Sequence, residues 1–277
     1  MPKLSIITIN YNNLNGLKKT VQSVLSQTSK GFEYIVVDGG SNDGSTEYIK
    51  EFAENEKTIK IVWVSEKDGG IYNALNKGIR MAGGEFLQFL NSGDALVDNT
   101  VTESMIASLP ENCNIQYGNM LKSLPKGLYR DKGFAGVKPT FLDFYYGTLN
   151  HSPAYIRRTL FDKYGFYDES LRIVSDWKWY LQVIILSNVN INYVPIDVTH
   201  FDMNGISSVN KLLDMEERKK VLHELIPAYI LTDYENNAYG MQFYERIKKF
   251  NTGYRFFKLY DRYYAWLERK LHNNYIR

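Results

Sequence analysis

Residues 85–94 (EFLQFLNSGD) join an apolar run to a polar turn whose tip offers oxygen ligands. Phe86, Leu87, Phe89 and Leu90 have the composition of a buried strand, and Asn91, Ser92, Gly93 and Asp94 follow at once. A hard divalent cation such as Mg²⁺ or Mn²⁺ takes carboxylate and amide oxygens and completes its shell with substrate phosphate. The same four residues also make an ordinary turn or helix N-cap, so their meaning depends on the rest of the chain. Asp176 is the second candidate. It opens the run DWKWYLQVIIL, where a carboxylate could remove a proton from a hydroxyl nucleophile or simply cap the helix that follows.

The elements that must position these residues alternate in type. Residues 4–9, 34–37 and 59–64 are β-branched apolar runs of buried-strand length. Leu14, Leu17, Val21, Val24 and Leu25 recur at helical spacing between the first two. Ser45-Thr46 predicts a capped helix through Phe52. Ile71, Ala74, Leu75, Gly78 and Ile79 share one face of a third helix that ends at Gly83-Gly84, before the strand at 86–90. Four alternations with short links predict a parallel α/β sheet with right-handed crossovers. Ligands of such sheets sit beyond the carboxyl ends of the strands. Those ends read Asn10-Tyr11-Asn12, Asp38-Gly39-Gly40, Glu66-Lys67-Asp68 and 91–94. They predict one polar cleft.

Composition bounds the class. The chain has 277 residues, 44% hydrophobic and 23% charged, enough to bury a core and too apolar for disorder. Cys113 is the only cysteine, which excludes a disulfide framework and suits a reducing compartment. The first nine residues are too short an apolar run for a signal peptide, and no stretch approaches 18 apolar residues. The turn after the first strand, NYNNLNG, is neither a Gly-x-Gly-x-x-Gly dinucleotide loop nor a phosphate-binding Walker loop. DGGSNDGSTE, from 38 to 47, has Asp43 where a calcium-binding EF-hand loop needs its Gly.

Four segments in order, SIITINYNN, IVVDGGSNDGSTEYI, SEKDGGIYNALNKGIRMAGGEFLQFLNSGD and LRIVSDWKW, resemble the family 2 glycosyltransferases. The third resembles most the branch that builds bacterial capsule, exopolysaccharide and O-antigen. The resemblance implies a GT-A-type fold, a Rossmann-like, mostly parallel central sheet flanked by helices. It covers about residues 1–210, with a nucleotide-binding half to about 110 and an acceptor-binding half from 111. It implies an inverting transferase that moves a sugar from a nucleotide-sugar donor, UDP favoured, to a saccharide acceptor. Asp38 would then accept a hydrogen bond from the base, with Thr8, Asn10, Tyr11 and Gly39 lining the same pocket and Asp68 facing the nucleotide. Residues 91–94 would occupy the metal-binding position for Mn²⁺ or Mg²⁺. Asn91 and Gly93 stand there where the pattern has carboxylates, so Asn91 and Ser92 fall to the donor and Asp94 to the metal. Asp176 would be the base, Trp177 and His151 would touch the acceptor, and His200 would be a further metal ligand from a late loop. A sugar-1-phosphate nucleotidyltransferase would want a Gly-rich basic loop after the first strand. A non-catalytic glycan or nucleotide-sugar binder would tolerate the depleted metal motif.

Residues 211–277 form a separate basic, aromatic helical segment in this reading. Net charge is only +2, yet residues 241–277 hold nine Lys and Arg against three Asp and Glu. Basic residues interleaved with Phe257, Tyr260, Tyr263 and Trp266 at helical spacing suit a helix in an anionic membrane interface, and equally a helical hairpin packed on the domain or on a second subunit. The acidic remainder argues against nucleic acid. The expected location is the cytoplasm, and in the membrane reading of the tail the inner face of the cytoplasmic membrane. Gly127 to Asn150, with little periodicity, reads as an acceptor-side loop.

Overall fold

The computed structural model describes residues 2–203, 210–248 and 251–272. Four strands, β1 (Leu4–Asn10), β2 (Phe32–Asp38), β3 (Lys60–Ser65) and β4 (Phe86–Phe89), pair in parallel in the order 3-2-1-4. Helices α1 (Leu14–Leu25), α2 (Ser45–Asn55) and α3 (Ile71–Met81) link them. β1, β2 and β4 are buried along nearly their whole length, which is why their sequences are continuous rather than alternating. The register sets Asn10 opposite Asp38 and Asp38 opposite Ser65, so the strand ends stand level at one edge.

Beyond β4 the sheet becomes mixed. β5 (Ala95–Leu96), β6 (Ile115–Leu124), β7 (Gly127–Asp131), β8 (Ala154–Arg157) and β9 (Ile191–Phe201) extend it to nine strands among the described residues. β8 runs antiparallel between β4 and β6, whereas β9 runs parallel to β6. The segment read as an acceptor-side loop contains β7 and a helix, α5 (Phe141–Tyr146), after α4 (Val101–Ala107). α5 begins with a reciprocal capping box between Thr140 and Asp143, a local signal strong enough to start a helix without apolar periodicity. The start of α2 is another correction. Ser45 does not cap it: Gly44 is the N-cap in a left-handed conformation, and the Asp43 carboxylate accepts from the Ser45 amide at 3.1 Å.

α6 (Thr159–Tyr164) and α7 (Ser175–Tyr180) follow, the latter continued by a π-helical turn, Leu181–Leu186. α8 (Lys211–Leu225), α9 (Ala228–Lys248) and α10 (Asn251–His272) come next. The molecule divides into two compact units, Met1–Val221 and Leu222–Arg277. In the second, Tyr244 of α9 packs its ring 5.2 Å from that of Phe257 on α10, while Phe256, Leu259, Tyr260, Tyr263 and Trp266 are exposed. Among the described residues no helix is long and apolar enough to cross a membrane.

Candidate active site

A cavity of about 720 Å³ opens at the carboxyl ends of the parallel strands. Asn10 and Tyr11 reach it from β1, Asp68 from the loop after β3, and Asn91, Ser92 and Asp94 from the turn after β4. Tyr72 of α3, His151, Arg172, Ile173, Asp176 and Asp202 line it as well. Positions separated by more than 100 residues therefore meet in one cleft.

The turn at 91–94 is held from α1. Thr20 Oγ1 donates to the Asp94 carbonyl at 2.6 Å and accepts from the Gly93 amide at 3.0 Å, and Lys19 Nζ donates to the Gly93 carbonyl at 2.8 Å. Gly93 has φ 106°, and a Cβ there would lie 2.5 Å from Asp202 Oδ2. Only glycine combines that backbone with that close approach. The Asp202 carboxylate thus stands over the position where the family's pattern carries its own acid. Asp94 is 4% exposed and its Oδ1 accepts from the Asp202 amide at 2.8 Å. Burial, with the Asp202 charge adding to it, pushes the Asp94 carboxyl up to about 7. Asn91 Oδ1 is buried with no protein partner. Asp94, Asp202 and Asn91 thus bring oxygen-bearing side chains to the cavity. No three His, Cys, Asp or Glu side chains converge into a ready-made cage among the described residues.

At the end of β2, Gly39 leaves a slot between Tyr11 and Asp68. A Cβ at Gly39 would lie 2.6 Å from Asp68 Oδ2 and 3.2 Å from the Tyr11 ring. Asp68 Oδ1 accepts from the Gly70 amide at 2.9 Å, and the Tyr11 ring is 67% exposed. Asn10 donates to Asp38 at 2.8 Å, and its Oδ1 is buried without a partner.

Asp176 lies in the first turn of α7 but does not cap it, since the N-cap is Val174 and carries no side-chain cap. Its Oδ1 accepts from the Tyr72 hydroxyl at 2.9 Å, and the same hydroxyl meets the Ile173 carbonyl. Burial, reinforced by the Asp176 charge, keeps the Tyr72 phenol protonated far above its ordinary range, so Tyr72 remains a donor. His151 stacks on Phe89 with ring centroids 4.5 Å apart and bonds Tyr167 at 2.8 Å. Burial lowers its pKa, with Asp176 opposing, and leaves a neutral imidazole on the cleft wall.

Four expected site residues stand elsewhere. Thr8 is buried under the cleft, donating to the Leu90 carbonyl at 2.6 Å and accepting from Tyr34 at 3.0 Å. Asp38 is 0% exposed. Its two oxygens accept from Asn10, from the Ser41 amide and hydroxyl, and from Ser65. Burial alone would raise its pKa, but those donors outweigh it and hold it below the usual carboxylate range. Asp38 thus holds the loop that carries Gly39, and it does not line the cavity. Trp177 is 1% exposed, with its indole N–H on the Phe144 carbonyl at 2.9 Å and the Arg218 guanidinium 4.5 Å over its ring. It is a core residue, not a sugar platform. His200 sits within β9, in register with Ala95 and Leu121, and does not line the cavity. Residues 204–209 of the loop after it lie outside the described residues, but Asp202, just before them, lines the cavity.

Tyr72, Arg172 and Asp202 are cleft residues that the sequence did not single out. Tyr72 lies inside the third resembling segment and Arg172 inside the fourth, so both had a local signal. Asp202 had none beyond its closeness to His200.

The model for Glycosyl transferase family 2 matches residues 5–166. An uncharacterized glycosyltransferase of Mycobacterium tuberculosis is 29% identical over 262 residues, covering 89% of this chain and 96% of its own. A PGL/p-HBAD biosynthesis glycosyltransferase of Mycobacterium bovis is 27% identical over 225 residues, covering 79% of this chain and 84% of its own. The crystal structure of S. aureus TarS 1–349 in complex with UDP-GlcNAc is similar at a TM-score of 0.64 and 22% identity. That likeness spans 79% of this chain and 64% of TarS 1–349. The fold is therefore GT-A-like.

Proposed function

Since the chain belongs to the family 2 glycosyltransferases, we propose that it transfers one sugar from a UDP-sugar to a saccharide acceptor with inversion at the anomeric carbon. One observation carries this reading. Asp176 faces the same cavity as the strand-end residues Asn10, Tyr11, Asp68, Asn91 and Ser92, so a base and a nucleotide site share one chamber. The base of the donor occupies the slot over Gly39, with Tyr11 against its ring and Asp68 as hydrogen-bond acceptor. Asp176, oriented by Tyr72, takes the proton of an acceptor hydroxyl as that oxygen attacks the anomeric carbon. The bond to the diphosphate oxygen breaks on the opposite face, and the configuration inverts in this single displacement. His151 lies on the acceptor wall.

The oxygen donors around Asp94 fit Mn²⁺ or Mg²⁺. Asp94 and Asp202 would hold the ion with the Asn91 amide oxygen beside them, and it would supply positive charge for the departing diphosphate. His200 has no part in that set.

α10 carries Arg255, Lys258 and Arg262 among exposed Phe256, Leu259, Tyr260, Tyr263 and Trp266, a composition suited to an anionic membrane face. A lipid-linked saccharide acceptor at the inner face of the cytoplasmic membrane, in bacterial surface polysaccharide or glycolipid synthesis, matches that surface. The PGL/p-HBAD relative supports this class of pathway. Sedimentation with vesicles containing anionic lipid at low salt checks it; a protein left in the supernatant would return α10 to contact with a second subunit.

Thermal shift with UDP and GDP, each with Mn²⁺, Mg²⁺ or EDTA, tests the donor site, because a ligand of the folded state raises the melting temperature by mass action. A shift with UDP that EDTA removes supports both nucleotide and metal. A shift that survives EDTA removes the metal from the account, and no shift with either nucleotide removes the donor site.

A further inference from the structure

We propose that Glu217 of α8 is a positioning residue for Asp176, a buried carboxylate that holds the turn presenting the base to the cleft. The inference rests on the reading of Asp176 as the base. Asp176 enters α7 from the turn at 172–174, and the N-cap residue Val174 has no side chain to tie that turn down. Glu217 does so from outside. Its Oε1 accepts from the Arg172 amide at 2.7 Å, and its Oε2 accepts from the amides of Ile173 at 2.9 Å and Val174 at 3.2 Å. Three consecutive backbone donors thus converge on one carboxylate that is 8% exposed. Bonds of this kind, with an ionised acceptor, are the stronger class. Tyr72 takes the same turn from the other side through the Ile173 carbonyl and reaches Asp176 directly. The base is therefore suspended between α3 and α8.

α8 is itself anchored next to Asp176. Arg218, adjacent to Glu217, donates to the Gly147 carbonyl at 3.2 Å, pairs with Asp214 and covers the ring of Trp177. The family match ends at residue 166, so the clamp is built by the part of the chain that follows it. Glu217 touches no atom that would react; it acts through the turn.

Glu217→Gln is the informative change. A glutamine keeps one acceptor oxygen and turns an NH₂ toward amides that need an acceptor, so it abandons either Arg172 or the Ile173–Val174 pair. The nucleotide side of the cleft, built on the strand ends, is untouched. UDP release would be followed with the UDP-sugar turned over fastest among UDP-Glc, UDP-Gal, UDP-GlcNAc and UDP-GalNAc, water serving as acceptor. Because a displacement of about 1 Å at a reacting group can cost ~100-fold, kcat should fall by ~10–100-fold in Glu217→Gln while the Kd for UDP holds within about twofold. Glu217→Asp, which keeps both oxygens, should recover part of the loss. In the Asp176→Asn background Glu217→Gln should cost nothing further, since residues acting as one unit are not additive. An unchanged kcat in Glu217→Gln, or an equal loss in both backgrounds, overturns the proposal. Full turnover by Asp176→Asn alone instead overturns the base assignment on which it rests.

Discussion

Gly39→Ala separates binding from stability in a way the structure makes quantitative. Gly39 does not have a positive φ, so alanine meets no backbone strain there. Its methyl group would arrive 2.6 Å from Asp68 Oδ2 and 3.2 Å from the Tyr11 ring, and one or both must move. Both are side chains at the open cleft, and Tyr11 is 67% exposed, so they can swing aside. A surface adjustment of this kind costs less than ~1 kcal/mol, or roughly 2–4 °C of Tm in a chain of this size. The slot itself is lost. If Asp68 accepts a hydrogen bond from the base, the displaced charged acceptor forfeits about 1.5–3 kcal/mol, which is ~10–100-fold in Kd. Titration calorimetry with UDP, paired with a thermal melt, reads both numbers. Gly84→Ala is the control for the opposite outcome. Its Cβ would strike backbone, Ser5 N at 2.6 Å and the Leu4 carbonyl carbon at 2.8 Å, so it should lower Tm sharply. Wild-type UDP affinity in Gly39→Ala would refute the placement of the base.

Two further outcomes follow from the geometry. Trp177→Phe should destabilise the protein by ~2–3 kcal/mol, through a smaller ring in a buried site and an orphaned Phe144 carbonyl, with UDP affinity unchanged; an unaltered Tm with weakened acceptor use would restore Trp177 as a platform. For Asp168, burial raises the carboxyl, but Lys178 at 2.9 Å and Ser170 lower it to about 2. A folded pKa depressed from 3.8 stabilises above the unfolded value and loses that contribution as pH falls toward 2. Discounted for its partly exposed side chain, the pair is worth about 1 kcal/mol. Asp168→Asn should therefore lower Tm at pH 7 and leave it unchanged near pH 2; equal losses at both would contradict the linkage.

The first four strands and three helices were legible because each is written locally. The apolar runs at 4–9 and 34–37 have strand length, and the helical faces of α1 and α3 recur on period. The mixed half of the sheet was not, because β8 enters between β4 and β6 through pairings that no local pattern records. The cleft was half legible for the same reason. Asn10, Tyr11, Asp68 and 91–94 follow apolar runs and were read from position alone. Asp202 and Glu217 act on groups 40 to 110 residues away in sequence, and neither sits in a recognisable motif. Trp177 misled because an aromatic beside a candidate base looks like a sugar platform. Both tryptophans of DWKWY are instead buried, Trp177 against Phe144 of α5 and Arg218 of α8, Trp179 stacked on Phe161 of α6.

The most direct test of the account is the kinetics of Asp176→Asn alongside its UDP affinity. A positioned base contributes ~10²–10⁴-fold, so kcat for UDP-sugar turnover should fall by at least about 100-fold while the Kd for UDP and the Tm stay at their wild-type values. Turnover at the wild-type rate would contradict the assignment of Asp176, and with it the claim that base and nucleotide site share one cleft.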